Sequence, residues 1–125
     1  MEKKAVQTVH APAAIGTYSQ AIDLGNLVYT SGQIPVDPAT GSIPADVRAQ
    51  AEQSLKNIKA VLEAAGSSME KVVKTTVFIA NMNDFAVINE VYASFFAEPY
   101  PARSCVEAAR LPKDVLLEIE AIALK

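Results

Sequence analysis

Hydrophobic residues between positions 47 and 65 recur every three or four residues, which is the period of an amphipathic α-helix. They form one apolar stripe over about five helical turns, made by Val47, Ala51, Leu55, Ile58, Leu62 and Ala65. Asp46 precedes the stripe as a candidate N-cap, and Gly66 follows it as a candidate C-cap. The pattern therefore predicts a long first helix between these two residues.

A second helical pattern begins after Asn83 or Asp84. Its apolar side is formed by Phe85, Ile88, Tyr92 and Phe95. Pro99 and Pro101 follow, and proline cannot continue a helix because it lacks the backbone N–H and clashes with the preceding turn. The sequence therefore predicts a shorter second helix that ends before these prolines.

The remaining apolar runs have the composition of β-strands. They predict strands within residues 4–8, on both sides of a turn within 19–34, and at 71–80, 102–110 and 115–124. Gly25 and Asn26 both tolerate positive φ, which makes them a good hairpin turn. Residues 71–80 are apolar on both faces, as in an interior strand. Residues 35–44 are rich in Pro, Gly and Asp, and predict a loop.

The predicted order of elements is β-β-β-α-β-α-β-β, which indicates an α+β fold. Connections that contain a helix are long enough for parallel crossovers, and both ends of the chain are predicted to be hairpins. This order predicts a mixed sheet with both helices packed on one face. The strands also direct apolar residues to the other face, so we expect a homo-oligomer that buries it.

Composition limits the range of functions. The 125 residues predict a single domain, 1–125, in which half the residues are hydrophobic, and the net charge of −3 argues against a nucleic-acid partner. The lone cysteine excludes an internal disulfide, and with only His10 beside it we expect no metal site. No secretory signal and no membrane-spanning stretch is evident, so we expect a cytoplasmic protein.

The stretch Pro101-Ala-Arg-Ser-Cys-Val-Glu contains that cysteine between two charged residues. In an extended strand, residues two apart project from the same face. Arg103, Cys105 and Glu107 should therefore share one side of their strand. Two interpretations are open: an ordinary polar sheet face, or the floor of a site for a small acid.

Several segments together resemble the Rid/YjgF family of reactive-intermediate deaminases, and its RidA branch in particular. They are APAAIGTYSQA, TSGQIP, VVKTTVFIANMNDF, NEVYASFF and PARSCVEAARLPKDVLLEIEAIA, and the resemblance runs from Ala11 to the C-terminus. It implies a chorismate-mutase-like fold and a homotrimer with sites between subunits. It also implies hydrolysis of 2-imino acids such as 2-iminobutanoate and 2-iminopropanoate to 2-keto acids and ammonia, without a cofactor.

Such a substrate needs a cation for its carboxylate and a group that positions water. The planar guanidinium of Arg103 fits the first task, since it can form two parallel hydrogen bonds, although a structural ion pair is the alternative. Glu118 matches the carboxylate that binds water in the family, with Glu120 on the same face as its competitor. Cys105 is predicted to contact the substrate without covalent catalysis, and a buried inert thiol is the alternative. Glu107 is expected to pair structurally with an arginine or lysine.

Four further residues match substrate-binding positions of the family: Tyr18, Ser31, Gly32 and Asn89. From the residues alone, each has an ordinary structural explanation. Tyr18 fits a core tyrosine, Ser31-Gly32 fits a bulge or turn, and Asn89 fits a solvent-exposed helix position. Tyr100 could line the pocket mouth and tune substrate choice.

Two other functional classes remain open at this level. One is a regulatory protein that binds a 2-keto acid without turning over the imine. The other is an RNA-directed inhibitor of translation or a chaperone. The net negative charge of the chain disfavours direct RNA binding.

Overall fold

The computed structural model describes residues 2–125 and contains six strands and two α-helices in the predicted order. The bounds are β1 Lys4–Val6, β2 Ala21–Asp23, β3 Leu27–Thr30, α1 Val47–Ala64, β4 Val72–Ile79, α2 Phe85–Phe95, β5 Ala102–Glu107 and β6 Leu117–Leu124. Short 3-10 turns precede β4, α2 and β6. The predicted α+β class is confirmed. No helix within 2–125 combines the length and apolarity needed to cross a membrane.

Helix α1 begins and ends where the sequence predicts. The Asp46 side chain accepts a hydrogen bond from the Ala49 N–H at 3.0 Å, and Gly66 has a positive φ of 85° just after the helix. The apolar stripe is buried, with Leu55, Ile58 and Leu62 at its centre. Burying these side chains against the sheet stabilises the fold more than helix propensity does.

Helix α1 also buries polar side chains that the stripe does not predict. The Asn57 amide donates to the carbonyls of Ile34 and Val36, at 3.1 and 3.0 Å. The Gln50 amide donates to the Pro44 carbonyl and accepts from the Leu116 N–H, both at 2.8 Å. These bonds satisfy backbone groups of the loops that pass over the helix, so the loop at 35–44 is fixed to the core.

The sheet has the order β1-β2-β3-β6-β4-β5. The hairpin β2–β3 forms as predicted, although only Gly25 in its turn has a positive φ. Strands β4 and β5 are parallel neighbours joined through α2. Strand β6 is antiparallel to both β3 and β4.

The predicted hairpin between β5 and β6 is wrong. Strand β6 lies in the middle of the sheet, between β3 and β4, and β5 forms the edge. The burial of the two strands gives the physical reason. Leu117 and Ile119 on β6 are fully buried, whereas most of β5 is exposed, and a central position suits the more apolar strand.

The two faces of the sheet differ in what covers them. Helix α1 packs on β3 and β6 and also against α2, so the helices lie on one face as predicted. The opposite face, here called the open face, includes Tyr29, Val106 and Leu124, which are 44%, 45% and 51% exposed. Exposed apolar side chains on a continuous sheet face are typical of a surface that another protein molecule covers.

Candidate functional site

Arg103 projects from β5 toward helix α2. Its Nη1 donates a 2.7 Å hydrogen bond to the side-chain oxygen of Asn89. Its guanidinium carbon lies 4.7 Å from the ring centroid of Tyr92 and 5.3 Å from that of Phe85. Beside it is a cavity of about 440 Å³ lined by Asn89, Tyr92, Ala93, Tyr100, Pro101 and Arg103. We call Asn89, Arg103 and Cys105 the arginine half-site.

The charge of Arg103 is not neutralised within the chain. In residues 2–125, its side chain forms no ion pair, whereas Arg48 pairs with Glu90 and Arg110 with Asp114. The neutral amide of Asn89 holds one guanidinium nitrogen and leaves the other donors of the planar fork free. A cation in this state can bind a carboxylate supplied from outside the chain.

Cys105 lies on the same side of β5 and packs against the core. Register places it opposite Val77 of β4, with the thiol half-buried. Burial raises the pKa of the Cys105 thiol above its ordinary value, and the positive charge of Arg103 opposes this only in part. The thiol is therefore protonated at neutral pH, which makes it a poor nucleophile.

Glu107 completes the row on this face, but with a different partner from the one predicted. Its carboxylate accepts a 2.8 Å hydrogen bond from the backbone N–H of Met82, in the turn before α2. Within residues 2–125 Glu107 has no arginine or lysine partner, and its carboxylate instead satisfies a backbone N–H at the start of the 3-10 turn. The bond fixes the start of α2, which carries Asn89.

Glu118 occupies the open face of β6, between buried Leu117 and Ile119. Burial raises the pKa of the Glu118 carboxyl above its ordinary value, and the negative charge of Glu120 on the same face raises it further. Across residues 2–125, the Glu118 carboxylate forms no ion pair. A carboxylate whose pKa is raised accepts a proton more readily than an ordinary surface carboxylate.

Gly32 lies against the side chain of Glu118. A Cβ at position 32 would overlap the Glu118 carboxylate, and it would come 2.9 Å from Cγ. Glycine is therefore required here by close approach and not by backbone conformation. The backbone at Gly32 forms one wall around the carboxylate and fixes the space available to it.

Ser31 precedes Gly32 in the chain, and its hydrogen bonds reach the segment that carries Tyr18. The Ser31 N–H donates to the Gln20 carbonyl at 2.9 Å, and the Ser31 hydroxyl donates to the Ser19 carbonyl at 2.6 Å. These bonds tie the segment that carries Tyr18 to the end of β3. Tyr18 itself is half exposed and lines a cavity of about 480 Å³ under the N-terminal segment. We call Tyr18, Ser31, Gly32 and Glu118 the glutamate half-site.

Gln20 anchors the same segment and was not predicted. Its buried side chain accepts from the Thr8 N–H at 2.7 Å and donates to the carbonyls of Thr8, Ala11 and Pro12. The only sequence signal was a polar residue directly before a strand. The bonds define the path of residues 8–12 and hence the loop that leads to Tyr18.

The two half-sites do not meet within one chain. Arg103 lies on the helix-covered face of the edge strand, and Glu118 lies on the open face of β6, with β4 between the two strands. The expectation that their strands are neighbours is therefore wrong. The cause is the central insertion of β6, which also separates the carboxylate from the sheet edge. One chain holds the predicted residues in two separate groups.

The close approach at Gly32 gives a first testable prediction. We expect Gly32→Ala to displace the Glu118 carboxylate, because the new methyl group occupies its space. Turnover should fall at least about tenfold, by the cost of misplacing a reacting group. Steady-state kinetics measures the loss of turnover, and thermal unfolding measures any loss of stability that the overlap causes.

A double-mutant cycle provides the control for Gly32→Ala. In a Glu118→Ala background, the overlapping atoms are gone, so Gly32→Ala should then cost little additional stability. An equal loss of stability in both backgrounds would show that the glycine serves the backbone and not the carboxylate.

Comparison with known proteins agrees with this architecture. A family profile described as "Endoribonuclease L-PSP", the YjgF/Rid family, matches residues 8–125. The 2-iminobutanoate/2-iminopropanoate deaminase of Escherichia coli K12 is 61% identical, and the match covers 98% of each chain. The crystal structure of E. coli TdcF with bound serine is 58% identical, with a TM-score of 0.94, covering 98% of this chain and 99% of that one. The structure of the E. coli YjgF gene product gives 57% identity and a TM-score of 0.94, covering 98% of both chains.

The fold and these matches define a protein of the α+β YjgF class. The chain belongs to the YjgF/Rid family, and its relatives of about 60% identity include enzymes named as reactive-intermediate deaminases.

Proposed function

We propose that this protein is a hydrolytic deaminase that converts 2-imino acids, such as 2-iminobutanoate and 2-iminopropanoate, to 2-keto acids and ammonia. The observation that carries the proposal is the state of Arg103, a cation at a cavity with no carboxylate partner among residues 2–125. The 61% identity to a deaminase of this specificity supports the choice of substrate. The relative that binds serine supports a site for a small carboxylate-bearing molecule.

In the proposed reaction, Arg103 binds the substrate carboxylate through its free guanidinium donors, while Asn89 holds the guanidinium in place. Glu118 orients a water molecule and accepts its proton as the water oxygen attacks the C=N carbon. This gives a carbinolamine. Glu118 returns this first proton to the nitrogen. The new hydroxyl group then gives up its own proton, which Glu118 passes to the same nitrogen, and the C–N bond breaks so that ammonia leaves as the keto group forms. No electron donor or acceptor is needed.

We further propose that the working site forms between subunits of a homotrimer. The arginine half-site of one copy would face the glutamate half-site of the next. Each contact between copies would then contain both the carboxylate-binding arginine and the water-activating glutamate. The positions of the half-sites on opposite faces of the sheet support this arrangement, as does the apolar open face. A contact between two different surfaces repeats around a closed ring, and the family resemblance favours three copies.

Tyr18, Ser31 and Gly32 would close the site around the Glu118 carboxylate. We propose that the exposed Tyr18 side chain donates its hydroxyl to the substrate of a neighbouring arginine half-site once the copies assemble. Tyr100 lines the cavity beside Arg103 and would contact the substrate side chain. A hydroxyl-bearing ring there favours short or polar side chains over long aliphatic ones.

Cys105 provides a test of how the site works. We expect Cys105→Ser and Cys105→Ala to retain turnover within about tenfold of the wild type, because its protonated thiol contributes packing and contact only. Steady-state kinetics, with mass spectrometry of enzyme quenched during turnover, provides the measurement. Complete loss of activity together with a covalent adduct in the wild type would contradict this role.

The proposed activity is tested by a coupled assay in which another enzyme generates 2-iminobutanoate in situ. We expect added protein to accelerate release of ammonia and 2-ketobutyrate in proportion to its concentration. No acceleration at micromolar protein would disprove the activity. Binding of 2-ketobutyrate without any acceleration would instead indicate a regulatory protein that senses the acid.

We place the proposed enzyme in the cytoplasm, where pyridoxal-phosphate enzymes release such imines. A single reduced cysteine is compatible with that compartment. Fractionation of cells that express the tagged chain would test the location.

A further inference from the structure

Tyr92 of helix α2 contacts Arg103 but belongs to neither half-site. The guanidinium carbon of Arg103 lies 4.7 Å from the centroid of the Tyr92 ring, which is closer than its 5.3 Å approach to Phe85. Both distances are within the range in which an aromatic face attracts a cation. The Tyr92 ring is itself buried, so it presents a fixed surface to the arginine.

The orientation of the Tyr92 ring is determined at both ends. Its hydroxyl and the hydroxyl of Thr75 are 2.8 Å apart in a buried hydrogen bond. Its ring packs on Phe96 with centroids 4.5 Å apart. Thr75 on β4 is the register partner of Arg103 on β5, so the strand pair that carries the arginine also holds the tyrosine. The hydrogen bond fixes the far end of the side chain, and the packing on Phe96 restricts rotation of the ring about its long axis.

We propose that Tyr92 is a positioning residue that pre-orients Arg103 for the substrate carboxylate. This inference rests on the proposed function, because it assigns Arg103 the task of binding the substrate. In this role Tyr92 needs no contact with the reacting carbon or the leaving nitrogen. It acts only through the guanidinium, which it holds by its face.

An aromatic face is well suited to this task. A carboxylate partner would hold Arg103 more strongly, but it would occupy the N–H donors that the substrate requires. The faces of Tyr92 and Phe85 attract the cation without supplying a carboxylate, and Asn89 takes one nitrogen, so other guanidinium donors stay available. The chain thus restricts the arginine without neutralising it.

The main test compares Tyr92→Leu with Tyr92→Phe. Because the carboxylate is bound both before and during the reaction, loss of pre-orientation weakens both states equally. We expect Tyr92→Leu to raise KM about tenfold and leave kcat within about threefold, since it removes the aromatic face. Tyr92→Phe keeps that face and should restore KM to within about threefold of the wild type. Unchanged KM in Tyr92→Leu would overturn the proposal.

Leu55→Ala is the matched control. It removes a fully buried side chain from helix α1, which carries none of the aromatic residues that contact Arg103 or orient Tyr92. We expect it to lower thermal stability as Tyr92→Leu does but to leave KM within about twofold. An equal rise in KM for both variants would show that Tyr92 matters only for packing and would overturn the proposal.

Two further measurements keep the inference separate from the proposed function. The dissociation constant of 2-ketobutyrate, measured by calorimetry, should rise about tenfold in Tyr92→Leu and should not rise further when that change is added to Arg103→Lys. This holds whether or not the wild type turns over an imine. In wild-type protein, the Arg103 side-chain protons should show the upfield NMR shift of protons above a ring. Additive losses in the double variant, or the absence of that shift, would overturn the role of Tyr92 even if Tyr92→Leu fails to fold.

Discussion

Arg103→Ala is expected to reduce kcat/KM by roughly two to four orders of magnitude, because it removes two charge-assisted hydrogen bonds of about 1.5–3 kcal/mol each. Arg103→Lys keeps the positive charge but loses the planar fork, so it should lie between the wild type and Arg103→Ala. The coupled imine assay measures both variants. Thermal unfolding should show little change, since Arg103 is exposed and forms no ion pair with any described residue from 2 to 125.

Arg110→Ala is the matched control for Arg103→Ala. Arg110 is also exposed, but it forms an i,i+4 ion pair with Asp114, and such surface pairs contribute about 0–1 kcal/mol. We expect its kcat/KM to stay within about threefold of the wild type. If Arg103→Ala were as active as Arg110→Ala, Arg103 would have only a structural role and the proposed site would be wrong.

Glu118→Gln is expected to lower kcat by roughly two to four orders of magnitude, the usual contribution of a positioned acid–base group, with a much smaller change in KM. The amide has nearly the same shape as the carboxyl group, but it cannot accept a proton from water. Glu120→Gln is the control on the same strand and face, and it should keep most of the activity. Greater loss in Glu120→Gln than in Glu118→Gln would reverse the assignment of the two acids.

The pH dependence follows from the raised pKa of Glu118. The deprotonated form accepts the proton, so kcat should fall as the pH decreases through this pKa, which lies above the ordinary value of 4.5. The contribution of Glu118 to the free energy of unfolding has the opposite dependence on pH. A carboxyl group whose pKa is raised in the folded state favours folding when protonated, and this contribution is lost as the pH rises through the folded pKa. Glu118→Gln should therefore be more stable than the wild type at neutral pH but not at pH values below the ordinary pKa.

The elements of this fold could largely be predicted from local patterns in the sequence. The spacing of the stripe from Val47 to Ala65 gives α1, and the Asp46 cap gives its start. The position of β6 could not be predicted in this way, because adjacent strands often pair and nothing local in the loop after Glu107 shows that the chain crosses β4. Strand order depends on which strand best fills the centre of the sheet, and that is a property of the whole core.

The candidate site was predictable as a set of residues and not as a geometry. Alternation along β5 correctly groups Arg103, Cys105 and Glu107 on one face, because a strand has a period of two. The same rule cannot show that Glu118 faces the opposite side from Arg103, since this depends on the order and register of strands β4, β5 and β6. The positions of Tyr92 and Thr75 beside Arg103 depend on the same long-range packing.

The measurement that most directly tests the account is complementation between two inactive variants. Arg103→Ala and Glu118→Gln subunits, unfolded together and refolded as a mixture, should recover activity, because some contacts then join an intact arginine half-site to an intact glutamate half-site. Random assembly of equal amounts predicts about one quarter of the wild-type activity per site. If the mixed oligomers form, as seen by native mass spectrometry, but stay as inactive as the two parent variants, then Arg103 and Glu118 do not act in one site shared between subunits.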